Sequence, residues 1–258
     1  MKSIRARVLL CFLLAAGAVF QCCGIPSAGE LPFQPGEKLT FDLRWGIVSA
    51  GAAVLQVLPA EEIGGVSAHH FSVTIRSNAF IDAFYKVRDQ VDAYADEGMT
   101  RSLLYKSNQQ EGSHRRNVTV SFDWENSRAQ FVNFGKKERP VAVGPGTFDP
   151  LSVFYSFRLQ RVADGLHLEA SVTDGKKYTT GKARVVKRET VRVPAGTFDT
   201  FLVEPDLKDI GGVFKKSKNA RLQVWVTADR RHVPVKIASK VVVGTFEAVL
   251  VSAENVLR

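Results

Sequence analysis

Few residues have the types that chemistry needs, and their spacing limits what each can do. The five histidines are His69, His70, His114, His167 and His232. His69 and His70 are neighbours. On a strand, neighbours point to opposite faces, so they cannot hold one ion together. His167 and Glu169 share a strand face, which supplies two ligands where a metal site takes more. There is no H-E-x-x-H. The histidines therefore read as surface residues. Asp82, Asp89, Asp92 and Asp96 cluster along the chain. Asp92 and Asp96 fall on one strand face, and a glycosidase works with two carboxylates at a set separation. Solvated strand-edge charges are the commoner outcome of such spacing. Ser49, within Gly46–Gly51, resembles a nucleophile elbow, but the glycine spacing is wrong and the segment reads as a hairpin. Neither phosphate-binding glycine loop is present. These residues point to no enzyme and no cofactor.

Basic residues form a second group. They cluster at His114-Arg115-Arg116, Lys136-Lys137, Lys215-Lys216 and Arg230-Arg231. Gathered on one rim, Arg115, Arg116, Lys215, Lys216, Arg230 and Arg231 would suit an anionic head group. The bland alternative is a solvated basic surface. The formal charge is +9, and without Lys2, Arg5 and Arg7 it is +6, because the first 28 residues carry no acid.

The start of the chain sets the compartment. Lys2, Arg5 and Arg7 precede the apolar run Val8–Phe20, and small residues follow. That three-part pattern is a secretory signal peptide, assigned to residues 1–28. The protein is thus expected to be exported to the periplasm. An uncleaved leader or a lipidated Cys22 would anchor it to the membrane. Gln21, just before Cys22, makes a poor lipidation signal. All three cysteines (Cys11, Cys22, Cys23) lie in this leader, so the remaining domain has no disulfide or cysteine-metal site. Anionic partners in that compartment are lipid, lipopolysaccharide or envelope glycan, with an envelope protein as the other option and nucleic acid excluded. A monomer is expected.

The elements that position these residues are mostly strands. Residues 29–258 read as one domain, long enough to bury a core unaided. Alternation is clear at Leu39, Phe41, Leu43 and Trp45, at Ala53, Leu55 and Val57, and at Phe71, Val73 and Ile75. Short polar or glycine turns join such segments, which implies antiparallel pairing. About twelve strands are expected, curled into a barrel or half-barrel to limit exposed edges. Two helices are expected. Ala79–Phe84 is one turn. Asp149–Gln160 has an Asp cap, Pro150 at its first position, and Leu151, Phe154, Tyr155 and Leu159 on one face. A helix across the mouth of a curled sheet would leave room for an apolar cavity. The all-β class and a binding or carrier role for an apolar or amphipathic molecule follow from that picture. An assembly factor that binds a partner through a sheet edge is a second reading, and a glycan- or lipid-acting hydrolase a third.

Four phrases occur in order. They are Gly36–Gly46 followed by Ala50-Gly51; Phe148-Asp149-Pro150-Leu151-Ser152 leading to Phe157-Arg158; Val193–Thr200; and Asp229 with Val233-Pro234-Val235 before Gly244-Thr245-Phe246. Together they resemble the bacterial exported family DUF3108 over nearly the whole domain. The resemblance implies an envelope protein with a curled antiparallel sheet and supplies no catalytic residues. Turn and cap chemistry accounts for most of the shared residues.

Overall fold

A computed structural model describes residues 31–207, 220–241 and 244–256. The leader, with Cys22, lies outside the described residues, as do Lys215 and Lys216. The first half of the sheet holds β1 (Lys38–Trp45), β2 (Val48–Ile63), β3 (Val66–Ser77), β4 (Val87–Asp96), β5 (Ser102–Glu111), β6 (His114–Asp123), β7 (Arg128–Asn133), β8 (Lys136–Lys137) and β9 (Val141–Ala142). The second half holds β10 (His167–Thr173), β11 (Tyr178–Val193), β12 (Gly196–Pro205), β13 (Arg221–Thr227), β14 (Pro234–Val241) and β15 (Gly244–Glu254). Two short helices, α1 (Ala79–Tyr85) and α2 (Ser152–Arg158), complete the described elements.

All strands belong to one antiparallel sheet. Its order is β10-β11-β12-β13-β14-β15-β1-β2-β3-β4-β5-β6-β7-β8, with β9 also on β7. The two halves meet where β15 pairs with β1, Trp45 opposite Phe246 and Lys38 opposite Glu254. The expected strands are all present, and the two-residue β8 and β9 are too short to show a period. Register breaks bend the sheet, for example at Leu43/Arg44, Leu58/Glu61 and Trp225/Val226. Each bulge adds local twist, which rolls a long sheet into a barrel-like form.

The hydrogen-bonded sheet stays open, and side chains bridge the gap. The turn between β10 and β11 packs on β6 and β7. A Cβ on Gly175 would come within 2.8 Å of Val120 and 3.1 Å of Phe131. Gly175 also has φ +80°, a conformation in which only glycine is free of Cβ strain. Lys176 reaches Glu138 at 2.5 Å and lies 4.3 Å from the Phe131 ring. Phe148 makes a parallel bridge to Val172 on the outer edge of β10. The connection after β9 therefore latches one half of the sheet to the other.

Helix α2 departs from expectation in length and in place. It begins at Ser152, because Asp149 turns the chain first. Its Oδ1 accepts from the N–H groups of Leu151 (2.8 Å) and Ser152 (2.9 Å). Every residue of α2 is buried. The helix packs inside the curled sheet, with Ser152, Ser156 and Arg158 buried along with its apolar face. Tyr155 stacks on Phe71 at 3.8 Å, and Phe33 meets both rings edge-on at 5.3 and 5.4 Å.

Arg158 is the one charge on this helix and is fully buried. Its guanidinium grips the Glu37 carboxylate at 2.5 and 3.0 Å. It also donates to the carbonyls of Pro32 (2.9 Å) and Arg231 (2.9 Å). His232 sits beside this group, with its ring nitrogens 3.1 Å from the Thr227 carbonyl and 2.9 Å from the Gln160 carbonyl. Three segments far apart in the chain, around Glu37, Arg158 and Arg231, thus meet at one buried point.

Candidate functional site

The residues with chemical potential fall into separate places. Glu169 pairs with Lys182 across β10–β11 at 2.8 Å, in the open, so it does not build a metal site with His167. Asp96 accepts from the N–H groups of Thr100 (2.6 Å) and Arg101 (3.0 Å), and so shapes a turn. Ser49 donates to Asp42 at 2.6 Å within the β1–β2 hairpin. No group of three possible metal ligands occurs among the described residues.

His69 and His70 do face opposite sides. His69 points inward, edge-on to Phe33 at 5.6 Å. His70 lies on the outer side, between Glu61 (2.8 Å) and Asp92 (3.1 Å), and stacks on Tyr94 at 4.4 Å. Burial raises the Asp92 carboxyl, but its bonds to His70, Ser72 and Gln90 outweigh this and hold it below its usual range. His70 and His232 are buried, which corrects the reading of all five histidines as surface residues. Their partners are carboxylates and carbonyls brought in by the fold, which local sequence does not reveal.

A buried carboxyl pair was also not singled out. Asp89 and Glu111 sit side by side on the inner faces of β4 and β5. Asp89 accepts from the Gln110 N–H at 2.9 Å. Burial is the main cause that lifts its carboxyl above the usual range. The nearby Tyr85 hydroxyl is pushed up to about 12, by burial first and then by the charges of Glu111 and Asp89. Such a pair can share a proton. It lies in the wall of the sheet.

The described cavity measures about 20 Å³ and is lined by Phe154, Phe157, Ala183, Val203, Pro205, Val224 and Val226. That is room for about one water. Helix α2 supplies Phe154 and Phe157 to that lining.

The ends of the strands differ sharply. In the first half of the sheet every second turn returns to the same end. The tips at β1–β2, β3–β4, β5–β6 and β7–β8 share one end. They carry Ile47 (100% exposed), Phe84 (78%), Phe80 (63%) and Phe134 (62%), with Trp45 and Val48 beside them. Phe80 and Phe84 are one helical turn apart on α1, rings 5.7 Å apart. Asn78 caps α1 through Ile81 N–H (3.0 Å) and ties it to the β1–β2 hairpin through the Ser49 carbonyl (2.7 Å). The same end holds the exposed cations Arg76, Lys86, Arg115, Lys136 and Lys137. None of these five has a carboxylate within ion-pair distance among the described residues. The opposite end of these strands carries exposed Glu62, Glu97 and Glu125. Exposed Arg128 stands at that opposite end too, so the apolar, basic end faces one of mixed charge.

The expected basic rim is only partly assembled. Arg115 lies on the apolar end, its Nη1 donating to the carbonyls of Gly112 (2.7 Å) and His114 (2.8 Å). Arg116 follows it, with its guanidinium 6.0 Å from the Phe131 ring. Arg230 and Arg231 lie in the β13–β14 connection, at the other strand end. Arg231 pairs there with Asp229. The reason is the β15–β1 junction. Because β15 runs antiparallel to β1, odd-numbered strands of the second half run opposite to those of the first.

Fold and rim define the class: a barrel-like open antiparallel sheet wrapped around one buried helix, with exposed apolar side chains at the turns of one end. The family model for DUF3108, a protein family of unknown function, matches residues 40–251, so the chain belongs to that family. No curated protein matches it. A solved structure from Brucella abortus, a beta-barrel-like protein of the domain of unknown function DUF1849, is similar with TM-score 0.55 and 10% identity. That similarity covers 84% of this chain and 96% of the other, and it concerns the fold. Weaker likenesses link it to a protein from Bacteroides fragilis, provisionally described as exported, with a YmcC-like fold (TM-score 0.40, 12% identity, 87% and 98% covered). Another is to a protein from Parabacteroides distasonis, provisionally described as a lipoprotein (TM-score 0.35, 13% identity, 91% and 100% covered).

Proposed function

We propose that the protein is a non-enzymatic binding module of the bacterial cell envelope, acting after export, which takes an amphipathic molecule at the apolar end of its sheet. The observation that carries this reading is the set of exposed side chains at successive turns of one end, Ile47, Phe80, Phe84 and Phe134. Apolar surface gathered at one place marks an interaction site more often than scattered exposure does. Cations there that make no ion pair among the described residues favour a ligand with an anionic head.

A sheet-edge assembly role has less support. The β7 edge is taken by β8 and β9, and Phe148 occupies part of the β10 edge. A hydrolase reading rests on Asp89 and Glu111, which are buried in the wall.

The test is titration with a monomeric, anionic lysophospholipid kept below its micelle concentration, followed by tryptophan fluorescence. Trp45 stands at the site, stacked on Phe246 with ring centres 6.0 Å apart. Saturable binding that Ile47→Ser and Phe84→Ser weaken is expected. No saturable binding, or equal binding by both variants, refutes the proposal.

A further inference from the structure

We infer that the apolar end docks on the surface of an anionic lipid bilayer, with its tips entering the interfacial layer. This rests on the binding role proposed above and commits it to an assembled membrane as the partner. Geometry favours a membrane over a single lipid. The β1–β2 and β7–β8 tips are separated by six strand spacings, about 29 Å along the curved sheet at roughly 4.8 Å each. Apolar side chains spread over several turns of one end suit an extended surface better than a single head group. The side chains suit that surface. Phe80 and Phe84 extend from one face of a short helix, and Ile47 stands at a hairpin tip, fully exposed. Apolar side chains of this kind settle at the boundary between head groups and acyl chains while cations stay at the head groups. Lys86 follows α1 directly, and Lys136 and Lys137 follow Phe134 within three residues.

Charge sets the orientation. Lys86, Arg115, Lys136 and Lys137 face the leaflet, while Glu62, Glu97 and Glu125 stand at the far end of the same strands. An anionic leaflet attracts the first group, which lies beside the exposed apolar tips. Docking is therefore polar, with strands directed away from the membrane. No described helix is long and apolar enough to cross it, and the tips provide a reversible surface contact.

Vesicle co-sedimentation tests this, with the purified full chain on phosphatidylcholine vesicles with or without a quarter of phosphatidylglycerol. Binding to the anionic vesicles is expected to exceed binding to the neutral ones. Each cation near the surface contributes about fivefold to the partition, so Lys86→Glu with Lys136→Glu lowers binding by about 25-fold or more. Phe80→Ser with Phe84→Ser lowers it on anionic vesicles while leaving the β circular-dichroism spectrum unchanged, since both side chains are exposed. Glu125→Gln, at the far end, leaves binding unaltered. Sedimentation that is the same for the Phe pair variant, or independent of the anionic lipid, overturns the inference. Binding of monomeric lysophospholipid without vesicle binding overturns the membrane partner and leaves the amphiphile-binding role standing. Failure of both removes both.

Discussion

Replacing Arg158 with Met should unfold this protein far more readily, and the structure supplies the magnitude. The guanidinium is fully buried and bonded to both oxygens of Glu37, itself buried, and to the carbonyls of Pro32 and Arg231. It also lies near the Phe33 and Tyr155 rings, at 5.6 and 5.5 Å. Methionine keeps much of the volume and removes every donor. The Glu37 carboxylate is then left buried without its counter-charge, which costs about 3–5 kcal/mol. For a domain of this size each kcal/mol lowers Tm by roughly 2–4 °C, so a drop of about 6–20 °C is expected. Thermal unfolding followed by circular dichroism measures it. The double variant Glu37→Gln with Arg158→Met removes the stranded charge and should regain part of the loss, which a double-mutant cycle quantifies. Arg158→Lys keeps the charge but loses the two-pronged grip, so it should fall between. A single Arg158→Met change that lowers Tm by less than about 2 °C would refute the reasoning. So would a double variant less stable than the sum of its parts.

Two further outcomes follow from the fold. Burial holds the Asp89 carboxyl above its usual range. A raised folded pKa gives stability that is complete below the unfolded value, about 3.9, and is lost as pH rises through the folded value. Asp89→Asn should therefore gain in Tm relative to the parent as pH goes from about 4 to about 8, in differential scanning fluorimetry; a flat difference contradicts the assignment. Gly175→Ala should lower Tm by roughly 4–10 °C through its left-handed backbone and its contact with Val120. Gly135→Ala, also at positive φ but with nothing within 4 Å, should cost only about 1–2 kcal/mol. Equal losses at the two glycines would mean that the β10–β11 turn does not hold the sheet halves together.

Much of the architecture was legible in the chain. Alternation at Leu39, Phe41 and Leu43, or at Phe71, Val73 and Ile75, specifies strands because a pleated strand presents every second side chain to one face. Short turns make neighbours antiparallel for the same local reason. The family phrases were recognisable too, and one physical role is now visible: Glu37 and Arg158 belong to two of them and form a buried ion pair. The apolar tips were also within reach, since every second turn of a meander returns to one end. Grouping Ile47, Phe80, Phe84 and Phe134 in that way requires no tertiary contact.

Other features depended on long-range pairing. The basic clusters around Arg115 and Arg230 look equivalent in the sequence. They lie at opposite strand ends because β15 joins β1 antiparallel, a contact between residues about 200 positions apart that reverses the direction of one half of the sheet. The place of α2 was decided the same way. Its local pattern describes a helix with one apolar face, and it is instead buried on every side. Its single charge is accommodated only because Glu37, 121 residues away, meets it inside. Period and turn chemistry act over a few residues, so the sequence alone determined the strands. What fills the interior and what stands at each end depended on which distant strands pair, and that only the tertiary structure decided.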